Sequence, residues 1–380
     1  MNSDTKKSTH RIAVGALFFL QGIAFASWAS RIPSIQESLR LNETELGLVL
    51  FALPLGLLVS LPFAGLLISK YGSRIVVIGA LAAYSVILVF LGLASSIGQL
   101  LVALFTFGLA GNMVNISVNT QAINVEHLYP KTIMASFHGL WSLAGFAGAA
   151  IGTWMIALGI VPSVHFLIIS VFSIVLLAVF SKNTVKQDIS NSAERTGFAW
   201  PDKTLIHLGI IAFCSLMCEG AMFDWSGVYF KNVVLAKEDW IGAGYTAFMC
   251  TMAGGRFVAD GITARFGLKG ILQLSGLLIS VGLLISVCFP TLTYAIIGFL
   301  IVGFGISSVV PLVYSAAGKS KTLSPGVALA TVSTIGFVGF LVGPPLIGII
   351  AGAFNLRVSF MFIAFMGLSV TVLSSFLKKT

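Results

Sequence analysis

The sequence predicts an all-α integral membrane protein with twelve transmembrane helices arranged in two pseudo-symmetric six-helix bundles. Three observations predict this fold. Hydrophobic residues make up 57% of the 380-residue chain and charged residues only 9%, whereas soluble domains carry about 25% charged residues. Twelve apolar stretches reach the roughly 20 residues that a helix needs to span a bilayer. Segments of the first half of the chain also recur in the second half.

The predicted spans are the long apolar stretches between polar breaks. Helices are required because lipid offers no hydrogen-bond partner to the backbone, and the sequence lacks the alternating polar pattern of a membrane β-barrel. In chain order the predicted spans are 12–32, 46–69, 74–95, 98–124, 134–159, 163–181, 204–230, 241–264, 270–289, 292–316, 325–351 and 356–376.

Polar segments divide the chain into a cytoplasmic tail at 1–11, a first bundle at 12–181, a linker at 182–203 and a second bundle at 204–380. Most Lys and Arg residues fall in loops on the same side of the membrane as the N-terminus, and short cytoplasmic loops retain positive charge. We therefore expect both termini in the cytoplasm and the protein in a bacterial inner membrane. The net charge of +9 is a topology signal and does not predict nucleic-acid binding.

One repeated segment places an acid where its counterpart has an amide. Residues 21–25 read Gln-Gly-Ile-Ala-Phe and residues 219–223 read Glu-Gly-Ala-Met-Phe, and Trp28 and Trp225 follow them. Glu219 lies near the centre of an apolar span, where a carboxyl group is costly and is a functional candidate by default. Such a group can be protonated in one state and ionised in another, as proton coupling requires. The alternative is a permanently neutral side chain that only packs the bundle.

Asp224 is the second acid of the seventh span. It follows Glu219 by five residues, about 140° around an ideal helix, so the two carboxyl groups cannot share a face. We assign both acids to proton coupling and place Asp224 nearer the outer surface, as an outer gate or a partner for Arg31. Arg31 itself lies at the outer end of the first span, where it can snorkel or bind an anionic group as a gating residue.

Glycines recur at the same spacing in the fifth and eleventh spans. Small residues at such intervals let two helix backbones approach closely, so we predict a helix-packing role for both sets. The two sets are Gly145, Gly148 and Gly152, and Gly336, Gly339 and Gly343.

The loops after the second and eighth spans also correspond. Residues 65–74 read Gly-Leu-Leu-Ile-Ser-Lys-Tyr-Gly-Ser-Arg, and residues 255–260 read Gly-Arg-Phe-Val-Ala-Asp, with Arg-Phe-Gly at 265–267. Here the chain, with its six-plus-six layout, resembles the major facilitator superfamily. The signature of that family in these loops is a Gly, an acidic residue, a basic residue and a second Gly followed by basic residues. Ser69 departs from it, because it stands where the first-half motif usually has an acid.

The resemblance implies alternating access, in which two bundles rock around a site near the membrane midplane. It also implies that the motif residues lock the cytoplasmic side of the outward-facing state. Carried over by position, this gating role falls on Lys70, Arg74, Arg256, Asp260 and Arg265. His138 lies toward the cytoplasmic end of the fifth span, and we assign it to the inner gate rather than to substrate contact.

Polar and aromatic residues at mid-membrane depth define a candidate pocket, because small-molecule sites combine aromatic walls with a few oriented polar groups. The three asparagines of the fourth span recur at i, i+3 and i+7 and so share one helix face. They either bind a polar solute or join helices through amide hydrogen bonds. The two tryptophans are pocket walls or, alternatively, interfacial anchors. The substrate-binding candidates are Gln21, Phe25, Trp28, Asn112, Asn115, Asn119, Trp141, Phe223 and Trp225.

The sequence contains no phosphate-binding glycine loop, no His-Glu-x-x-His and no nucleophile motif. We therefore expect no enzyme activity, no cofactor and no metal site. The expected partners are the lipid bilayer, protons and a small-molecule substrate, and the expected state is a monomer. The leading hypothesis is a proton-coupled symporter of a small polar solute, sugar-like or a related metabolite. The alternatives are a proton-driven exporter of amphipathic compounds or drugs, and a non-transporting ligand sensor.

Overall fold

The computed structural model describes residues 3–130, 133–186, 202–320, 323 and 325–377, with the side chains of all of these except 3–6, 135, 259–266, 325 and 326. The described elements are helical. They are α1 (Ser3–Ser30), α2 (Ile32–Ser38), α3 (Glu43–Leu50), α4 (Ala52–Tyr71), α5 (Ser73–Leu93), α6 (Ile97–Glu126), α7 (Met134–Ala157), α8 (Pro162–Phe180), α9 (Lys203–Asn232), α10 (Ala243–Cys288), α11 (Leu292–Ala317), α12 (Pro325–Ala353), α13 (Leu356–Ser375) and two 3₁₀ turns, Ser181–Asn183 and Glu238–Trp240.

Eleven helical stretches in the described part of the chain are long and apolar enough to cross a membrane. They match eleven of the predicted spans. The remaining predicted span, 241–264, corresponds to the first part of α10, and several of its side chains lie outside the described set. The prediction of an all-α integral membrane protein is confirmed.

The predicted tail at 1–11 is helical from its third residue, because α1 begins at Ser3. Two side chains of this segment bind other parts of the first half. A ring nitrogen of His10 lies 2.6 Å from the carbonyl oxygen of Asn183, and Arg11 donates to Ser136 Oγ at 3.2 Å. These contacts hold the segment in helical form beyond the apolar stretch from which the span was predicted.

The chain forms two compact units. The first contains Met1–Arg40 and Val49–Asn191, and the second contains Leu41–Leu48 and Ser192–Thr380. The segment Leu41–Leu48 therefore groups with the second unit, although the sequence assigns it to the first bundle.

The segment Leu41–Leu48 is held in the second unit by close contact with α12. Thr44 Oγ1 donates to the carbonyl oxygen of Gly348 at 3.3 Å. A Cβ built on Gly47 would lie 2.9 Å from the Cα of Gly348, closer than side chains pack. Glycine is needed at these positions because the two backbones touch.

The recurring glycines hold equivalent helix pairs together in both units. In the first unit, a Cβ on Gly148 of α7 would lie 2.8 Å from the Cβ of Ala26 on α1. In the second unit, a Cβ on Gly336 of α12 would lie 2.9 Å from the Cβ of Ala212 on α9. The predicted packing role is confirmed for Gly148 and Gly336, and close glycine contacts join α1 to α7 and α9 to α12.

A second shared feature is a glycine turn in the two loops that carry the repeated motif. Gly72 connects α4 to α5 with φ 81° and ψ 152°. Gly267 interrupts α10 with φ 72° and ψ 164°. This region of backbone space is essentially restricted to glycine, which gives a physical reason for the second Gly of each motif.

Helix α9 is enclosed on all sides along the segment that carries Glu219 and Asp224. Every residue from Met217 to Ser226 is buried, so the helix has no solvent-facing or lipid-facing side along this stretch. Both acids of the seventh span fall inside it. A helix buried on all sides is normally apolar all round, so these two carboxyl groups require an explanation from their neighbours.

Candidate substrate and proton sites

Glu219 lies near the middle of α9 and is 7% exposed. Its Oε1 lies 3.6 Å from the guanidinium Nη2 of Arg256 on α10. Buried charges in proteins are paired, because an isolated ion is very costly to remove from water. The two side chains form an ion pair between two helices of the second unit, with Glu219 buried and the Arg256 side chain 22% exposed. The family resemblance placed Arg256 in a cytoplasmic lock, whereas the structure brings its guanidinium to the main proton-coupling candidate.

Arg256 belongs to the face of α10 that packs against α9. Tyr245, Phe248, Met252 and Arg256 recur at intervals of three and four residues and so lie on one side of the helix. Phe223 on α9 meets this face edge-on, with ring centroids 6.2 Å from Tyr245 and 5.8 Å from Phe248. Phe223 is only 4% exposed. It packs the two helices together in this conformation, and the expectation of an open pocket wall is corrected.

Asp224 is buried and has Tyr245 as a neighbour. It is 9% exposed, so it does not form the exposed outer gate that the sequence suggested. Tyr245 is 1% exposed and lies within electrostatic reach of both Asp224 and Glu219. Its hydroxyl group is buried and makes no hydrogen bond with any residue that the structure describes. The two carboxyl groups therefore share a buried tyrosine as a neighbour.

Tyr314 approaches Glu219 from another helix. This half-buried residue of α11 shares a hydrogen bond with Ser333 of α12 and lies within electrostatic reach of the Glu219 carboxyl group. The electrostatic environment of Glu219 is therefore built by residues of α10 and α11. A change of charge on this one carboxyl group acts on groups of both neighbouring helices.

Trp28 and Trp225 are both buried, at 1% and 0% exposure. An interfacial anchor must reach the lipid headgroups, so the anchor interpretation is wrong for both. Burial also closes both ring faces to a solute in this conformation. Each indole Nε1 is buried and donates to no described residue.

In the first unit, Gln21 and two aromatic residues occupy neighbouring positions of one wall. Gln21 Nε2 donates to the carbonyl oxygen of Gly111 at 3.3 Å, while its Oε1 accepts no hydrogen bond from the described residues. One turn further along α1, half-buried Phe25 stacks on Trp141 of α7 with centroids 6.4 Å apart. This wall combines an amide with two aromatic rings, the combination predicted for a polar-solute site.

The three asparagines of α6 divide into two roles. Asn112 is buried and donates to the carbonyl oxygen of Leu57 at 3.2 Å and to Ser60 Oγ at 2.7 Å, both on α4. Its amide joins two helices, as the alternative interpretation held. Asn115 is exposed, and Asn119 Nδ2 donates to its Oδ1 at 3.1 Å. Only the latter two offer an amide to a solute, so the predicted three-amide surface is corrected to a pair.

Arg31 is buried in the first unit at 2% exposure, so the snorkelling interpretation is wrong. Its Nε donates to Nδ1 of His165 at 3.1 Å, and its Nη2 donates to the carbonyl oxygen of Ile160 at 2.7 Å. Because Nδ1 accepts this bond, we assign the neutral His165 tautomer with its proton on Nε2. The charge of Arg31 is therefore bound by neutral acceptors at one end of α8.

The remaining gating candidates stay predictions. Lys70 and His138 are exposed and Arg74 is half-buried, as expected of residues at helix ends. The side chains of Asp260 and Arg265 lie outside the described residues.

Three polar residues near the site were not predicted from the sequence: Tyr245, His165 and Tyr314. Each is a side chain with a polar group inside an apolar stretch, and that is the signal that was available. Tyr245 also stands eleven residues before Arg256, three helical turns away on the same face. The spacing points to the site only once it is known that this face of α10 packs against α9.

The buried ionisable groups identify the class of protein. Ionisable side chains inside membrane helices mark substrate and ion pathways, and here they lie at mid-helix in a chain of spanning helices with an internal repeat. These features define a helical membrane transporter.

The comparison with known families assigns the chain to a particular group. A model of the Major Facilitator Superfamily matches residues 14–324. The chain therefore belongs to this superfamily, and it is not an enzyme. An uncharacterized MFS-type transporter of Yersinia pestis is 32% identical over 362 residues, which cover 95% of this chain and 94% of the relative.

Solved structures agree on the fold. The nucleoside transporter NupG has a TM-score of 0.74 at 12% identity, covering 96% of this chain and 98% of NupG. The Escherichia coli fucose:proton symporter FucP has a TM-score of 0.62 at 15% identity, covering 97% of this chain and 98% of FucP.

Proposed function

We propose that this transporter couples the movement of a small polar solute, sugar-like or a related metabolite, to protons, with Glu219 as the protonatable group. The observation that carries the proposal is the ion pair between Glu219 on α9 and Arg256 on α10, 3.6 Å apart, in which the carboxyl group is buried and the guanidinium group is partly exposed. Protonation of Glu219 cancels one of the two charges. The attraction that holds α9 to α10 at this point then weakens, so proton binding alters how the two helices pack.

Polar and aromatic residues of the first unit support the choice of solute. Gln21, Asn115 and Asn119 supply amide donors and acceptors, and the ring pair of Phe25 and Trp141 supplies an aromatic surface. Hydroxyl-rich solutes bind through such groups, because each amide both donates and accepts hydrogen bonds. A nucleoside transporter and a fucose:proton symporter share the fold, which is consistent with a polar solute and with proton coupling.

We further infer that the chain is a monomer in a bacterial inner membrane with both termini cytoplasmic. The asymmetry of Lys and Arg between loops supports this orientation. Labelling of single cysteines introduced near each terminus in intact cells, with a membrane-impermeant thiol reagent, tests it. Labelling without permeabilisation would reverse the assignment.

The substrate class is tested first, by thermal unfolding of the detergent-solubilised protein with neutral sugars, nucleosides, organic acids and lipophilic cations at low and high pH. A polar solute that raises the unfolding temperature in a pH-dependent manner supports the proposal. Stabilisation by lipophilic cations alone favours the exporter of amphipathic compounds.

Proton coupling is tested with Glu219→Gln in proteoliposomes, using the solute identified by stabilisation. We expect uphill uptake driven by a pH gradient to be lost, while exchange of labelled for unlabelled solute persists. Glu238→Gln is the matched control, because Glu238 is exposed in a short 3₁₀ turn, and it should behave as the wild type. Uphill uptake that survives Glu219→Gln would remove Glu219 from the mechanism.

A further inference from the structure

The buried hydroxyl of Tyr245 has no structural use among the described residues. The residue is 1% exposed, and its hydroxyl group makes no hydrogen bond with them. A buried hydroxyl without a partner is costly, because it has lost its bonds to water. Tyr229, by contrast, also lies in the core of the second unit, and its hydroxyl donates to the carbonyl oxygen of Ser286 at 2.9 Å. Phenylalanine would fill the place of Tyr245 without this cost.

The position of Tyr245 suggests what its hydroxyl does. Glu219 and Asp224 are separated by five residues, about 7.5 Å along α9 and about 140° around it, so a proton cannot pass directly between them. Tyr245 lies on the adjacent helix within electrostatic reach of both carboxyl groups. Its ring is held edge-on against Phe223, with centroids 6.2 Å apart. Phe223 directly precedes Asp224 and lies one helical turn after Glu219, so the ring packs on the segment of α9 that carries both acids.

We propose that the Tyr245 hydroxyl relays protons between Asp224 and Glu219. In one transfer, protonated Asp224 gives its proton to the tyrosine oxygen while the tyrosine O–H gives its own proton to the Glu219 carboxylate. Asp224 ends ionised, Glu219 ends neutral and the hydroxyl is regenerated. Because no direct hydrogen bond joins the hydroxyl to either acid, each transfer requires a side-chain rotation or a bridging water. The inference rests on the proposed proton coupling at Glu219.

The other charged and titratable groups near this path each interact with a partner of their own. Arg256 on α10 is paired with Glu219, and Tyr314 on α11 acts on Glu219 while bonded to Ser333. On α13, Arg357 donates to the carbonyl oxygen of Val287 at 2.7 Å. Tyr245 differs from these groups in lying within electrostatic reach of both acids.

The test follows protonation of Glu219 directly, without a substrate. The protein in lipid is shifted rapidly from alkaline to acidic pH, and the infrared C=O band of protonated carboxyl groups is followed in time. The band that disappears in Glu219→Gln belongs to Glu219. In Tyr245→Phe, which keeps the ring, we expect this band to reach the same amplitude at a rate lower by about tenfold or more, since proton relays contribute at least that much. Tyr229→Phe is the matched control and should leave the rate unchanged.

A second variant distinguishes a relay from a structural effect. Asp224→Asn should slow the same band, and the double variant Asp224→Asn/Tyr245→Phe should be no slower than either single variant, because both interrupt one path. A wild-type rate in Tyr245→Phe would overturn the relay and leave Glu219 as the coupling group. A carboxyl band that never responds to pH at Glu219 would overturn the proposed proton coupling and the relay together.

Discussion

Replacing Gly339 by alanine should destabilise the second unit, whereas the same change at Gly343, one turn later on α12, should not. A Cβ on Gly339 would meet the backbone of Phe213 on α9, with the carbonyl carbon at 3.0 Å and Cα at 3.2 Å. Backbone atoms cannot rotate away, so α12 must move outward. At Gly343 the nearest atom is the flexible Met217 Cγ at 3.7 Å, which is ordinary van der Waals contact.

The magnitude follows from comparing the two variants. Overpacking against a rigid neighbour costs about 1–3 kcal/mol. Alanine also favours a helix over glycine by about 1 kcal/mol, but this contribution is common to Gly339→Ala and Gly343→Ala and cancels between them. The difference in stability between the two variants should therefore be about 1–3 kcal/mol. For a unit of this size each kcal/mol corresponds to roughly 2–4 °C in unfolding temperature.

A thiol-reactive fluorophore measures this difference during heating in detergent. Cys214 and Cys218 on α9 are buried, so they react only when the unit opens. Cys250 and Cys288 are exposed and react at once, which gives a constant baseline. A Gly339→Ala protein that unfolds at the same temperature as Gly343→Ala, or higher, would refute the claim that backbone contact holds α9 to α12.

Two further predictions concern the first unit. His165→Phe should lower the free energy of unfolding by about 1.5–3 kcal/mol, because Arg31 then loses an acceptor for its charged Nε–H. His165→Gln keeps an acceptor and should recover part of that loss. Thermal unfolding measures both variants, and equal stability of the two would contradict the role of the bond. Asn112→Ala should cost about 0.6–1.7 kcal/mol, as interhelical amide bonds in membranes do, with solute-induced stabilisation intact. Asn115→Ala should show the opposite pattern, with normal stability and weaker solute-induced stabilisation.

The sequence predicts the spans and their repeat well, because bilayer thickness and backbone hydrogen bonding leave little choice. A run of apolar residues between polar breaks fixes where a helix such as α5 or α13 begins and ends. The glycine spacing likewise predicts close packing of α7 and α12, because only small side chains permit it. These features depend on the residue types within one segment, which can be read from the sequence without knowing which helices are neighbours.

The rotation of each helix about its own axis could not be predicted in the same way. Asn112 and Asn115 share a face by periodicity, yet Asn112 bonds to α4 and Asn115 is exposed. Helix α4 covers only the part of that face that carries Asn112. Trp28 and Trp225 lie near span ends by counting, and both are enclosed by helices from distant parts of the chain. The pairing of Glu219 with Arg256 likewise depends on which helix faces α9.

The single-residue turn at Gly72 has a mechanical consequence. α4 ends at Tyr71 and α5 begins at Ser73, so one residue in a glycine-only conformation forms the entire connection. Such a joint has no slack: if α4 slides along its axis by one residue, about 1.5 Å, the end of α5 is pulled by the same distance. A longer, flexible loop would absorb the movement. The one-residue turn therefore couples α4 to α5, so that a displacement of one helix along its axis also displaces the other.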